Sequence, residues 1–139
     1  MTAPARTLYT PAILGAATLL ADHSWDEALP LRGESRSRRC GSMLALCLSV
    51  DAAGRITRIG LRAHACAIGQ AAAQVFVSAA EGRTRNDIAS ARTSLAAWLA
   101  GEAGVPDWPG VLLIEPALGY PARHDAIMLA WDAALAALA

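Results

Sequence analysis

Hydrophobic and polar positions along this chain follow two rhythms. Leu8–Leu20 carries apolar residues at helical spacing. Pro11 suits a first turn there, and Gly15 weakens the middle. Ala21–Arg39 is mixed and reads as loop with room for an edge strand. It ends in a basic run, Arg36-Ser-Arg38-Arg39, expected as a solvated face rather than an anion site. The rhythm then changes to period two. Leu44, Leu46, Leu48 and Val50 alternate with Met43, Ala45, Cys47 and Ser49. Asp51-Ala-Ala-Gly54 signals a turn, and Ile59, Leu61 and Ala63 alternate with Arg58, Gly60 and Arg62. This predicts a β-hairpin. Helical patterning returns over Cys66–Ala80, stopping at Gly82, and over Ile88–Ala100, stopping at Gly101. Gly104–Gly119 holds three of the seven prolines and reads as loop with a short apolar run, Val111–Ile114. A last helix starts near Pro121, with Ile127, Trp131, Leu135 and Leu138 on one face. This order predicts an α+β fold: a small antiparallel β-sheet with helices packed on one face.

The hairpin also makes a statement about cysteines. Its first strand buries even positions and its second buries odd ones, so paired numbers must sum to an odd value. Pairing Val50 with Arg55 across a four-residue turn gives Leu48–Thr57, Leu46–Ile59 and Leu44–Leu61, and places Cys40 opposite Ala65. Cys66 is the next residue. Two thiols far apart in sequence are thus expected within one strand spacing, ~5–8 Å. Cys66 also sits where strand hands over to helix, and a helix N-terminus favours a thiolate. Such a pair suits a soft metal or sulfur chemistry; the alternative is two small buried hydrophobes. Cys47, on the face opposite Leu46 and Leu48, reads as packing. Parity turns His64 to the same side as Arg62, as a surface residue. His124-Asp125 reads first as ordinary chemistry of a helix first turn, and only secondarily as ligands.

Composition narrows the field. The chain of 139 residues is expected to form one domain, residues 1–139. It is 55% hydrophobic, largely through alanine, with a single Phe, so its core must rest on close helix contacts and short aliphatics. All 12 basic residues are arginine, and net charge is zero. No strong field therefore invites nucleic acid or anionic lipid. Pro11–Ala21 is apolar but too short to span a bilayer, and no basic region precedes it. Three cysteines are too few and too odd for a secreted disulfide framework, so a cytoplasmic location is expected. No Ser-His-Asp set, phosphate loop or carboxylate pair marks an enzyme.

Several blocks, in order, resemble one family. They are Leu8-Tyr9 with its apolar helix, Cys40-Gly41-Ser42 before alternating leucines, and Asp51-Ala-Ala-Gly-Arg-Ile56. Ala65-Cys66-Ala67-Ile68 before a small-residue helix, Glu81-Gly82-Arg83-Thr84, Tyr120-Pro-Ala-Arg123 and Leu129-Ala-Trp131 follow. Together they resemble the IscU/SufU/NifU N-terminal iron–sulfur cluster scaffold domains along most of the chain. The resemblance implies the IscU/NifU N-terminal-like fold. It implies that Cys40 and Cys66 match the first and second of three cysteines that, with an aspartate, hold zinc, iron or a nascent iron–sulfur cluster. The aspartate position is Ser42 and the third-cysteine position is Ala126; Asp125, just before it, is the candidate third ligand. The ligand set expected is thus Cys40, Cys66 and Asp125, with His64 or His124 in reserve. A four-ligand zinc or [2Fe–2S] site would be incomplete. The implied partners are a cysteine desulfurase and other iron–sulfur assembly proteins. The reading from sequence is a non-enzymatic scaffold-like protein of iron–sulfur assembly. The competing readings are a degenerate relative without metal that binds another protein, and a persulfide-carrying enzyme acting through Cys66.

Overall fold

A computed structural model describes residues 8–38 and 41–139. Helix α1, Pro11–Leu19, opens where the Thr10 hydroxyl accepts a hydrogen bond from the Ile13 N–H at 3.1 Å, with Pro11 in the first turn. A 3-10 turn, Leu20–His23, follows. Three strands come next: β1 Leu31–Arg36, β2 Met43–Val50 and β3 Ile56–His64. They form one antiparallel sheet in the order β1-β2-β3. Helices α2 (Ala67–Ala80) and α3 (Arg85–Leu99), two further 3-10 stretches (Val111–Gly119 and Pro121–Arg123) and helix α4 (His124–Ala137) complete the order. The class is α+β, with the helices packed on one face of the sheet, as the pattern implied.

Helix α4 is the spine of the packing. It lies across β1 and β2 and is flanked by α2 and α3, while α1 packs on α2. Its sequence suggested one apolar face through Ile127, Trp131, Leu135 and Leu138. The structure instead buries Ala126–Trp131, Ala133, Ala134 and Ala137, and leaves Leu135 and Leu138 at the margin. Alanine is the reason: small side chains let three neighbours close on the helix at once, so a single stripe no longer describes it. Trp131 meets Phe76 of α2 and Trp108 of the loop after α3 in a three-ring cluster, with centroids 5.2–5.4 Å apart. Trp108 Nε1 donates to the Val75 carbonyl at 2.9 Å, which fixes that loop to α2.

The edge strand the sequence only allowed for is β1. Its exposed residues Arg32, Glu34 and Arg36 alternate with Leu31, Gly33 and Ser35, which turn toward α4. Gly33 sits against the backbone of Ala133 and Ala137. Ser35 Oγ donates to the Leu129 carbonyl at 2.6 Å. Part of the basic run is where expected: Arg36 is exposed and pairs with Glu34 at 3.4 Å, and Arg38 is exposed, whereas Ser37 is buried.

The hairpin register needs a correction. The observed pairs are Leu44↔Ala63, Leu46↔Leu61 and Leu48↔Ile59, two residues further along β3 than the shortest turn gives. An irregularity at Ser49/Val50 returns the pairing to Val50↔Ile56 and leaves Thr57 as the extra residue. The Ser49 and Thr57 hydroxyls lie 2.8 Å apart at that point. Away from the bulge a shift of two keeps the side chains on their expected faces, so the parity argument survives there and the pairing itself does not. The bulge also brings Ile56 onto the core side, where it is buried.

The other face of the sheet is covered by residues 24–29. Ser24 forms a parallel bridge to Leu61 along the free edge of β3. Beneath this segment Cys47 is fully buried: its Sγ accepts from the Asp26 N–H at 3.5 Å and donates to the Gly60 carbonyl at 3.4 Å. Cys47 is the packing residue the sequence implied. Among the described residues no helix is long and apolar enough to cross a membrane.

Candidate functional site

Strand β3 ends at His64, and two extended residues, Ala65 and Cys66, lead into α2. Cys66 takes the N-cap position, as its place in the sequence implied. Its carbonyl accepts from the Gln70 N–H at 2.9 Å, and Gln70 Nε2 reaches back to the Ala65 carbonyl at 2.8 Å. These two bonds hold the strand-to-helix corner. The Cys66 side chain makes no capping bond to the first turn. Its half-buried thiol faces a depression of about 420 Å³.

That depression gathers residues from three separate segments. Gly41 and Ser42 come from the β1–β2 connection, and Ala63, His64, Ala65, Cys66 and Gln70 from the continuous run that ends β3 and opens α2. Arg123 arrives from the turn before α4. Ser37 N–H donates to the Ser42 carbonyl at 2.8 Å, which carries strand pairing into the connection and presents Ser42 to the pocket wall. Cys40, the first proposed ligand, lies outside the described residues; Gly41, next in the chain, lines the pocket. His64 is exposed, as its parity required, yet it stands at the pocket rim.

Other expected ligands are not gathered there. Asp125 is exposed in the first turn of α4 and does not line the depression. His124 is turned away: its Nε2 donates to the Ala117 carbonyl at 3.2 Å, and it borders a different hollow beside Trp98 and Leu118. Ala126 is buried behind the pocket wall, where a Cβ on Gly69 would lie 3.3 Å from the Ala126 methyl and 3.1 Å from that of Ala65. Among the described residues no three of His, Cys, Asp and Glu come together in a metal-binding group. Among the described residues the lining offers one thiol, one imidazole and no carboxylate, with an arginine present, short of the four donors of a zinc or cluster site. Arg123 and Gln70 are the pocket residues that sequence reasoning passed over. Arg123 stood inside the Tyr120–Arg123 block, and nothing local marked it as facing Cys66.

A larger depression, about 570 Å³, lies at the other end of β3, beside Asp22, Trp25, Ile56 and Glu81. Two of its carboxylates are already engaged, Asp26 with Arg58 at 3.0 Å and Glu27 with Arg32 at 3.3 Å. Among the described residues it holds no thiol, and the chemistry of the molecule points to the smaller pocket.

The whole arrangement is therefore an α+β fold with a cysteine at the sheet-to-helix corner and a polar pocket around it. No protein-family model matches the chain, and no curated protein matches it in sequence. Solved structures do match. A nitrogen-fixing NifU-like protein (N-terminal) from Brucella abortus superposes with a TM-score of 0.87 at 24% identity, over 98% of this chain and 95% of that one. A protein from Fervidobacterium islandicum AW-1, assigned to the SUF system as the iron–sulfur cluster assembly scaffold SufU, gives 0.82 at 22% identity, over 95% and 97%. The chain has the fold of these NifU-like N-terminal and SufU proteins, and the resemblance read from its sequence holds at the level of the fold.

Proposed function

We propose that this chain, acting as one domain, is a non-enzymatic, scaffold-like protein of iron–sulfur cluster assembly that works in the cytoplasm. Its cargo, iron, zinc or a transient cluster, is held at the Cys66 pocket through Cys66 and Cys40, without Asp125, which lies outside the pocket lining. A cysteine desulfurase and other assembly proteins are the partners of this reading. One observation carries it: the residues following Cys40, the corner at Cys66 and the approach to α4 line one pocket, in a fold shared with a NifU-like N-terminal protein and with a protein described as an iron–sulfur cluster assembly scaffold. With so few donors the cargo is held transiently, and a partner or sulfide completes its coordination.

The chain's own residues set the terms. Cys66 must be a thiolate to bind a soft metal, so uptake falls with acid. Gln70 fixes the corner that aims it. The test is anaerobic reconstitution with ferrous iron and sulfide, followed by visible absorption and iron content. Wild type and Cys47→Ser should gain charge-transfer bands, and Cys66→Ser should not. Equal uptake by wild type and Cys66→Ser would remove the cargo from this pocket.

A further inference from the structure

We propose that residues 24–29 are an electrostatically latched strap on the sheet, which opens by itself, ahead of the rest of the fold, as ionic strength rises. The inference concerns the face of the sheet away from the helices and stands apart from the scaffold reading. Arg32, Cys47 and Gly60 form one row across β1, β2 and β3, and the strap lies over that row. Its backbone comes down at Gly60, where a Cβ would lie 2.5 Å from the Ser24 carbonyl oxygen, 3.2 Å from the Asp26 nitrogen and 3.3 Å from Cys47 Sγ. Only glycine leaves room for the strap to seat there. The strap is also one wall of the larger depression, which Ile56 and Glu81 border. Its release would dismantle that wall and uncover Cys47.

Charge is most of what holds the strap down. Leu20 and Leu29 anchor its two ends in buried positions, and no residue between them is buried. Asp26 pairs with Arg58 of β3 at 3.0 Å, and Glu27 with Arg32 of β1 at 3.3 Å. Two guanidiniums lie over the Trp25 ring, Arg62 at 4.2 Å and Arg32 at 5.5 Å from its centroid. Trp25 Nε1 donates to Glu27 Oε1 at 2.6 Å. Ser24 adds its bridge to Leu61, and the Asp26 N–H its bond to Cys47 Sγ. Arg32, Arg58 and Glu27 are each more than half exposed. Each of these pairs is therefore weak, and salt weakens it further. Strand β2, directly beneath, is held by ladders on both sides. The strap is the low-stability unit of this face and the sheet the high-stability one.

Cys47 reports the opening, because the closed strap buries it completely. The full chain is alkylated with iodoacetamide, a neutral reagent, and each cysteine is followed separately by peptide mass. Raising sodium chloride from ~20 to ~500 mM should speed Cys47 alkylation several-fold. The rate should not change in low urea, since a local opening exposes little surface. Arg58→Gln should speed alkylation about two- to fivefold at low salt and flatten the salt response. Arg58→Lys should stay near wild type, and Arg85→Gln, exposed on α3, should have no effect. Gly60→Ala, which lifts the strap from its seat, should expose Cys47 at every salt concentration, with circular dichroism reporting whether the sheet is kept. Arg58→Gln, a surface change, decides the matter should Gly60→Ala not fold. The proposal fails if Cys47 alkylation is insensitive to salt, if it rises with urea as steeply as global unfolding, if Arg58→Gln labels like wild type, or if folded Gly60→Ala still protects Cys47.

Discussion

A methyl group at Gly33 would overlap the Ala133 carbonyl oxygen and crowd the Ala137 nitrogen. The glycine is there because α4 and β1 meet backbone to backbone. Its phase with Leu31 and Ser35 was present in the sequence, but a short run of Arg, Gly, Glu and Ser reads as loop when its partner surface is unknown. Gly33→Ala should therefore cost about 1–3 kcal/mol, the usual range for overpacking a tight contact, measured by urea denaturation. A neutral result would mean that α4 sits further from the sheet. The same limit applies at the site. Cys66 and the packing role of Cys47 were legible because strand parity and a helix start are local signals. Arg123 was not, because its approach to Cys66 depends on where the turn before α4 lands.

At the scale of elements, the hairpin and the helices were legible from period and breakers, and the register was not. Parity is fixed by which residues must be buried. The choice among registers of equal parity falls to the turn, and here Asp51 decides it. Its Oδ1 accepts from the Ala53 and Arg55 N–H groups at 2.9 and 3.0 Å, and the bulge at Thr57 absorbs the difference. Helix α3 was legible as a helix but started late by its pattern. Apolar periodicity begins at Ile88, whereas the helix begins at Arg85 because Thr84 and Asp87 form a capping box. The bond from the Thr84 N–H, then that from its hydroxyl, hold the Asp87 carboxyl below the usual aspartate range, with Arg83 and Arg55 adding to it. A depressed folded-state value means the contribution is complete above the ordinary aspartate pKa, near ~3.9, and is lost as pH falls through the folded value. The stability gap between wild type and Asp87→Ala should thus be steady near neutrality and narrow in acid below that point. A gap unchanged across the acid range would contradict the carboxylate's role.

At the scale of the molecule, the sheet, the helix corner and the turn before α4 have one thing in common, the pocket at Cys66. The central claim is that two thiols separated in sequence, Cys40 and Cys66, share that pocket. Chain connectivity supports it, since Gly41 and Ser42 line the same pocket as Cys66, and Cys47 is excluded by its burial beneath residues 24–29. A trivalent arsenical bridges thiols only when they are neighbours, and so reads the pair without requiring a complete metal site. Native mass spectrometry of the folded protein with phenylarsine oxide should show one equivalent bound to wild type and to Cys47→Ser, and none to Cys40→Ser or Cys66→Ser. Binding that survives in Cys40→Ser, or its absence in wild type, would contradict the shared pocket and the account built on it.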